Sequence, residues 1–342
     1  MFENFVLYGL AFFSSLVLSL VLTPAARSAA LLLKIIDHPH SDVKTHKHPV
    51  PYLGGVAIFL SFSMTLLWIR VLTTFPTGTL RSLRGILIGG SFIFLLGLAD
   101  DIKLKGLHYR TKLFFQISAA ILVMVFGVHV KFVHPSWMAW MISAFWIVGV
   151  TNSLNLIDIM DGLSSGTIVI AALAFLFISL PTEGIYVNFA AAALAGSTLG
   201  FLPFNLSKRF RIFMGDSGSL FVGFVASSLA LGTSYQGPTN LSVFAPLLIL
   251  AIPLYDTILV FSLRIMKGIS PFLGSKDHFP LRLEVLGWKR PQILSFTLLI
   301  ALLFSFGAFF VTKVNTVGVL LIYSFAGLIL SLLTIYILKA KI

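Results

Sequence analysis

Residues Phe92–Gln116 read FIFLLGLADDIKLKGLHYRTKLFFQ. An apolar run stops at two adjacent carboxylates, Asp100 and Asp101. A short basic stretch follows, and a second apolar run begins at once. This is the pattern of a helix that leaves a hydrophobic layer, turns in water and re-enters. The composition extends that reading to the whole chain. Of 342 residues 58% are hydrophobic and 11% charged, whereas roughly a quarter of a soluble domain is charged. The mean hydropathy is +1.00. The polar-in, apolar-out alternation of a membrane barrel is absent.

The apolar segments predict an all-α polytopic membrane bundle of about eleven transmembrane helices, each near the length needed to cross a bilayer. They fall near residues 2–23, 51–72, 84–99, 111–128, 136–152, 163–181, 185–203, 218–233, 241–262, 292–311 and 316–338. Their short connections leave no room for a separate soluble unit, so residues 1–342 read as one domain. The N-terminal stretch lacks the positive segment of a signal peptide and is read as a retained first span. With no cysteine in the chain, disulfide and thiolate chemistry are excluded.

Lys and Arg collect on the cytoplasmic side of membrane proteins. An outside N-terminus puts 19 of the 24 basic residues inside, leaving Arg70, Arg81, Arg84, Lys131 and Lys313 outside, and makes the C-terminus cytoplasmic. That face would attract anionic lipids and anionic soluble substrates. Nucleic acid is not expected, because the basic residues divide among membrane loops rather than forming one stripe.

In the same topology 10 of the 12 acidic residues lie inside. Asp100, Asp101, Asp158, Asp161 and Asp216 stand against apolar segments, where an unpaired carboxylate is costly. A carboxylate pair at a helix C-terminus also opposes the macrodipole, and a bound cation would relieve both conflicts. Mg²⁺ suits such a site, since it takes one or two carboxylates and completes its shell with water and phosphate. Zinc does not, for want of a histidine pair beside the carboxylates.

Three further stretches carry the site. In NSLNLIDIMDGLSSG, Asn152–Gly166, a polar residue recurs every third position at Asn152, Asn155, Asp158 and Asp161, which on a helix makes a slanted polar ribbon. The spacing does not fit a calcium EF-hand. In NLSKRFRIFMGDSGSLFVGF, basic residues Lys208, Arg209 and Arg211 precede Asp216 and a new span, an arrangement that favours phosphate at a helix N-terminus. In DHPHSDVKTHKHPVPYLGG, four histidines lack fixed metal-ligand spacing, and Lys47 is the expected phosphate contact.

In this order the motifs VKTHKHPVPYLGG, LADD, NSLNLIDIMDG, FMGDSGSLF and KDHFPLRLEVLGW resemble the bacterial polyprenyl-phosphate N-acetylhexosamine-1-phosphate transferases of glycosyltransferase family 4. The stretch HPVPYLGG is similar to the branch that uses GlcNAc-1-phosphate rather than the muramoyl-pentapeptide branch. The resemblance implies that undecaprenyl phosphate attacks a UDP-N-acetylhexosamine at the cytoplasmic face of the bacterial cytoplasmic membrane, releasing UMP. It implies Mg²⁺, with Mn²⁺ as a substitute, and is compatible with a homodimer among membrane lipids. Residue by residue it implies Asp100 and Asp101 as catalytic, and Asp216 with Asp101 as metal ligands. Lys47, Asn155, Asp158, Asp161, His278 and Arg282 would bind substrate. Many relatives carry His-x-His-His-Arg-Leu in the last inner loop, where this chain has His278-Phe279-Pro280-Leu281-Arg282-Leu283.

Two other classes compete on the residues alone. A transporter would hold its carboxylates near the bilayer midplane, in broken helices of matched halves. A CDP-alcohol phosphotransferase shares the D-x-x-D-G fragment, but its continuation fails at Ser165-Gly166.

Overall fold

The computed structural model describes residues 2–37, 49–73, 77–103, 106–182, 185–270 and 276–340. Thirteen α-helices run in chain order: α1 (Phe2–Leu32), α2 (Gly54–Leu72), α3 (Thr77–Ile102), α4 (Tyr109–Val125), α5 (Ser136–Leu156), α6 (Leu163–Ser179), α7 (Ile185–Leu206), α8 (Gly215–Gly232), α9 (Ala245–Ile249), α10 (Ala251–Met266), α11 (Phe279–Val285), α12 (Arg290–Val311) and α13 (Thr316–Ile337). The described sheet is minimal, a two-residue antiparallel pair of β1 (Ile36–Asp37) and β2 (Val50–Pro51).

Each of the eleven expected apolar segments is helical. Among the described residues seven are long and apolar enough to cross a membrane alone, and an eighth arises if the pair Asn240–Ile249 and Ala251–Met266, bent by 73°, counts as one. The expected continuous helix over 241–262 is therefore broken, at Leu250, between Pro246 and Pro253, which remove backbone donors there. The first helix is longer than expected and carries Arg27 beyond its apolar part.

The helices differ in how much they bury. Nearly all of α8 and most of α7 are interior, with Ala190–Ala195 wholly enclosed. Small side chains let helix backbones approach closely where lipid offers no competing hydrophobic drive. By contrast α13 leaves Leu320, Leu321, Phe325, Leu328 and Leu332 exposed, as a lipid-facing helix does. α3 and α5 pack on α8, and α1 and α6 pack on α7. The N-terminal turn of α8 thus sits where the ends of α3, α4 and α5 converge.

Two glycines permit that convergence. A Cβ on Gly97 of α3 would lie 2.5 Å from the Asp216 carbonyl oxygen, and one on Gly55 of α2 would lie 2.2 Å from the Gly218 nitrogen. Both neighbours are backbone and cannot move aside.

Candidate active site

Asp101 fixes the frame. The residue before α8, Met214, gives its helix no side-chain cap. Asp101 supplies one from the end of α3, its Oδ1 accepting from the Asp216 amide at 2.8 Å and its Oδ2 from the Ser217 amide at 3.0 Å. The carboxylate is 6% exposed and faces the positive end of α8, so one contact satisfies two amides and a buried charge. Tyr52 closes the far side, its hydroxyl donating to the Asp101 carbonyl at 2.5 Å. Burial first, and the Asp101 charge next, push that phenol up to about 12.

The segment around Tyr52 is held alongside the approach to α8. Phe213 donates its amide to the Pro51 carbonyl at 2.9 Å, and Gly54 and Gly55 donate to the carbonyls of Phe213 and Met214. The PYLGG and FMGDSG motifs therefore form one backbone unit.

Asp216, in the first turn of α8, gathers side chains from three other elements. Asn155 Nδ2, at the end of α5, donates to Oδ1 at 3.0 Å and to Ser219 Oγ at 2.9 Å. Lys112 Nζ, in the first turn of α4, lies 2.5 Å from Oδ2. The same ammonium lies 2.8 Å from Oδ2 of Asp100, whose Oδ1 accepts the Leu107 amide. Asp100 and Asp216, 12% and 28% exposed, thus converge on one cationic atom.

Asp158 and Asp161 stand beside this group in the turn after α5. The helix ends at Leu156, so the expected helical ribbon holds for Asn152 and Asn155 alone. Gly162, at φ +79°, takes the left-handed turn that starts α6. Asn205, at the end of α7, accepts the Gly162 amide at 2.7 Å and donates to the Ile212 carbonyl at 3.1 Å, tying this turn to the segment before α8. Asp161 pairs with Arg211. Asp158 is half-buried; burial, then the charges of Asp216, Asp161 and Asp101, push its carboxyl up to about 8.

Among the described residues no three His, Asp or Glu side chains form a ready metal cage. Asp100 and Asp216 nevertheless fit Mg²⁺, which needs one or two carboxylates and takes its other oxygens from water and phosphate. Among the described residues Asp100 and Asp216 share the single ammonium of Lys112, and that arrangement favours a further cation.

Three expected residues remain. Lys47 lies outside the described residues. His278 and Arg282 belong to a second buried cluster at α11. His278 Nδ1 is 2.6 Å from Asp256 Oδ2, whose Oδ1 accepts the Phe279 amide at 2.9 Å. Asp277 Oδ1 accepts from Arg282 and Lys267, each at 2.8 Å, and Arg282 Nη1 reaches the Ala340 carbonyl. Pro280 and Leu281, where many relatives have histidines, pack in the first turn of α11 and are buried.

Lys112 escaped the sequence reading as a site residue. A signal was present: a lysine in the first turn of a helix opposes the macrodipole and needs an anionic partner. Arg211 stands in the basic run expected to favour phosphate, and it pairs with Asp161 instead; Tyr52 gave no comparable signal, since its partner comes from a distant segment.

The chain is similar to known proteins of one family. The model of the family described as Glycosyl transferase family 4 matches residues 83–234, the interval holding Asp100, Lys112, Asn155 and Asp216. The Bacillus subtilis (strain 168) protein named "Probable undecaprenyl-phosphate N-acetylglucosaminyl 1-phosphate transferase" is 31% identical over 315 residues, 90% of this chain and 85% of its own. A decaprenyl-phosphate N-acetylglucosaminephosphotransferase of Mycolicibacterium smegmatis is 29% identical over 82% of this chain and 76% of its own. A phospho-N-acetylmuramoyl-pentapeptide-transferase of Limosilactobacillus reuteri (strain DSM 20016) is 33% identical over 54% of this chain and 61% of its own.

Proposed function

The chain belongs to glycosyl transferase family 4, and we propose that it transfers N-acetylglucosamine-1-phosphate from UDP-N-acetylglucosamine to undecaprenyl phosphate. A phosphate oxygen of the lipid attacks the sugar-linked phosphorus. The bridging P–O bond breaks, UMP leaves, and the product is undecaprenyl-diphosphate-sugar. Membership of a transferase family decides against the transporter reading.

The observation that carries the proposal is the convergence of Asp100, Lys112, Asn155 and Asp216 at the end of α8. Phosphoryl transfer requires alignment and neutralisation of oxyanion charge more than it requires covalent chemistry. Bound Mg²⁺ would supply positive charge to the diphosphate, with Asp216 and Asp100 as its protein ligands; Asp101, expected as a ligand beside Asp216, has both oxygens on the amides of α8 instead. Asp101 keeps the first turn of α8 in place and adds negative charge beneath it. Lys112 stands ready to meet a phosphate, Asn155 orients Asp216, and Asp158 and Asp161 line the nucleotide side. A phosphate monoester with a second pKa near 6 is already largely ionised at neutral pH, so the lipid needs no strong general base.

The whole chain would act as one transferase domain with eleven crossings, its N-terminus outside and its carboxylates at the cytoplasmic face of the bacterial cytoplasmic membrane. There it would perform the first membrane step of a cell-wall or surface polysaccharide. His278 and Arg282 would act on the diphosphate or sugar from the second cluster. The relatives named for N-acetylglucosamine cover more of this chain than the muramoyl-pentapeptide relative does, which favours the first sugar.

A panel of UDP-sugars assayed with undecaprenyl phosphate tests the assignment. UDP-N-acetylglucosamine is expected to give the highest kcat/KM. A preference for UDP-N-acetylmuramoyl-pentapeptide would move the chain to the other branch, and no turnover with any UDP-sugar would end the proposal.

A further inference from the structure

Asn152 takes no part in the site as described, yet it is not idle. Its Nδ2 donates to Gln116 Oε1 at 2.7 Å and to the Val148 carbonyl at 2.8 Å, and its Oδ1 accepts from Gln116 Nε2 at 3.2 Å. The two amides close a reciprocal pair between α4 and α5, with Gln116 only 2% exposed. Each partner lies next to a site residue on its own helix. Lys112 is four residues before Gln116 on α4, and Asn155 is three residues after Asn152 on α5, so each shares a face with its neighbour. The amide pair and the Lys112–Asp216–Asn155 group are thus successive rungs between the same two helices.

We propose that Gln116 and Asn152 are positioning residues that set the axial register of α4 against α5, and so place Lys112 and Asn155 on the two oxygens of Asp216. Apolar packing between helices is non-directional and tolerates sliding and rotation. A two-bond amide pair has one geometry, and buried polar pairs of this kind are best attested as register devices. A displacement of about 1 Å at a catalytic group can cost on the order of 100-fold in rate, so loss of the register would reach the chemistry without removing any group that touches substrate.

The kinetic arm of the test rests on the transferase reading; the distance arm does not. Gln116→Leu, Asn152→Leu and the double Leu variant replace each amide with an apolar side chain. Turnover with UDP-N-acetylglucosamine and undecaprenyl phosphate should fall about tenfold or more in each. The double variant should fall no further than the worse single, as a coupled pair requires, and KM for the nucleotide sugar should change by less than about twofold, as for an interaction that acts on the transition state alone. Because the chain has no cysteine, spin labels can be placed on exposed Phe114→Cys of α4 and Phe145→Cys of α5. Their distance distribution should broaden or shift in the double Leu variant. A wild-type distribution together with wild-type kcat would overturn the proposal. If the native enzyme turns over no UDP-sugar, the transferase reading fails and the distance arm still decides the register.

Discussion

The Lys112 ammonium lies 2.5 Å from Oδ2 of Asp216, joining the first turn of α4 to the first turn of α8. It also lies 2.8 Å from Asp100, so a fixed positive charge stands between the two carboxylates that best fit a divalent cation. Lys112→Gln should lower kcat by about 100-fold or more, the scale of losing one preorganised electrostatic contact. Mn²⁺ should bind the unliganded variant more tightly than the native protein, because a competing charge is gone. Electron paramagnetic resonance titration reads this directly, and weaker Mn²⁺ binding would contradict the arrangement.

Asp101 makes a different prediction, because its oxygens serve the backbone of α8. Asp101→Ala leaves two amides unsatisfied and should destabilise the protein by about 1–2 kcal/mol, as loss of a helix cap does. Asp101→Asn keeps one acceptor oxygen and should lose about half as much. Thermal unfolding in detergent checks the order. Turnover should fall in both, since the capped turn carries Asp216.

Gly97→Ala tests the close approach of α3 to α8. The new Cβ would meet the Asp216 carbonyl oxygen and Ser217 Cα at 2.5 Å, an overpacking that costs about 1–3 kcal/mol. Gly78→Ala, on the same helix with nothing within 4 Å, should leave both stability and turnover unchanged. Equal behaviour of the two variants would show that the helices do not meet there.

Asp158 supplies a pH dependence. Its carboxyl is raised to about 8 in the folded, metal-free protein against about 3.9 in an unfolded chain. The folded state therefore holds a proton that the unfolded state has lost. Stability from this group is fully present below about pH 4 and is lost as pH rises through 8. Unfolding of the metal-free protein followed from pH 5.5 to 8.5 should show a falling midpoint, flatter in Asp158→Asn. A slope unchanged by the substitution would remove Asp158 as its source.

The sequence made much of this legible, for physical reasons that can be named. Apolar length marked the long helices, because a membrane segment must satisfy its backbone internally; the short α11, Phe279–Val285, lies in the stretch expected as an inner loop. Isolated carboxylates against apolar runs marked Asp100, Asp101, Asp158, Asp161 and Asp216, because buried charge is rare without a partner. The partners themselves were not legible. That Asp101 caps α8, and that Arg211 rather than a ligand meets Asp161, depends on segments more than 40 residues apart meeting at one end of the bundle. The break at Leu250 and the turn after Leu156 had visible punctuation, Pro246 with Pro253 and Gly162, but the apolar length around the first and the three-residue spacing across the second outweighed it.

The central claim is that Asp216, held by Lys112 and Asn155, organises a metal-dependent transfer to a polyprenyl phosphate. One measurement tests it most directly: UMP release by purified native protein and by Asp216→Asn, with UDP-N-acetylglucosamine, undecaprenyl phosphate and Mg²⁺. The native protein should release UMP only when lipid phosphate and Mg²⁺ are both present, and Asp216→Asn should be slower by about 100-fold or more. Native-rate release by Asp216→Asn, or native release without the lipid phosphate, would contradict the account.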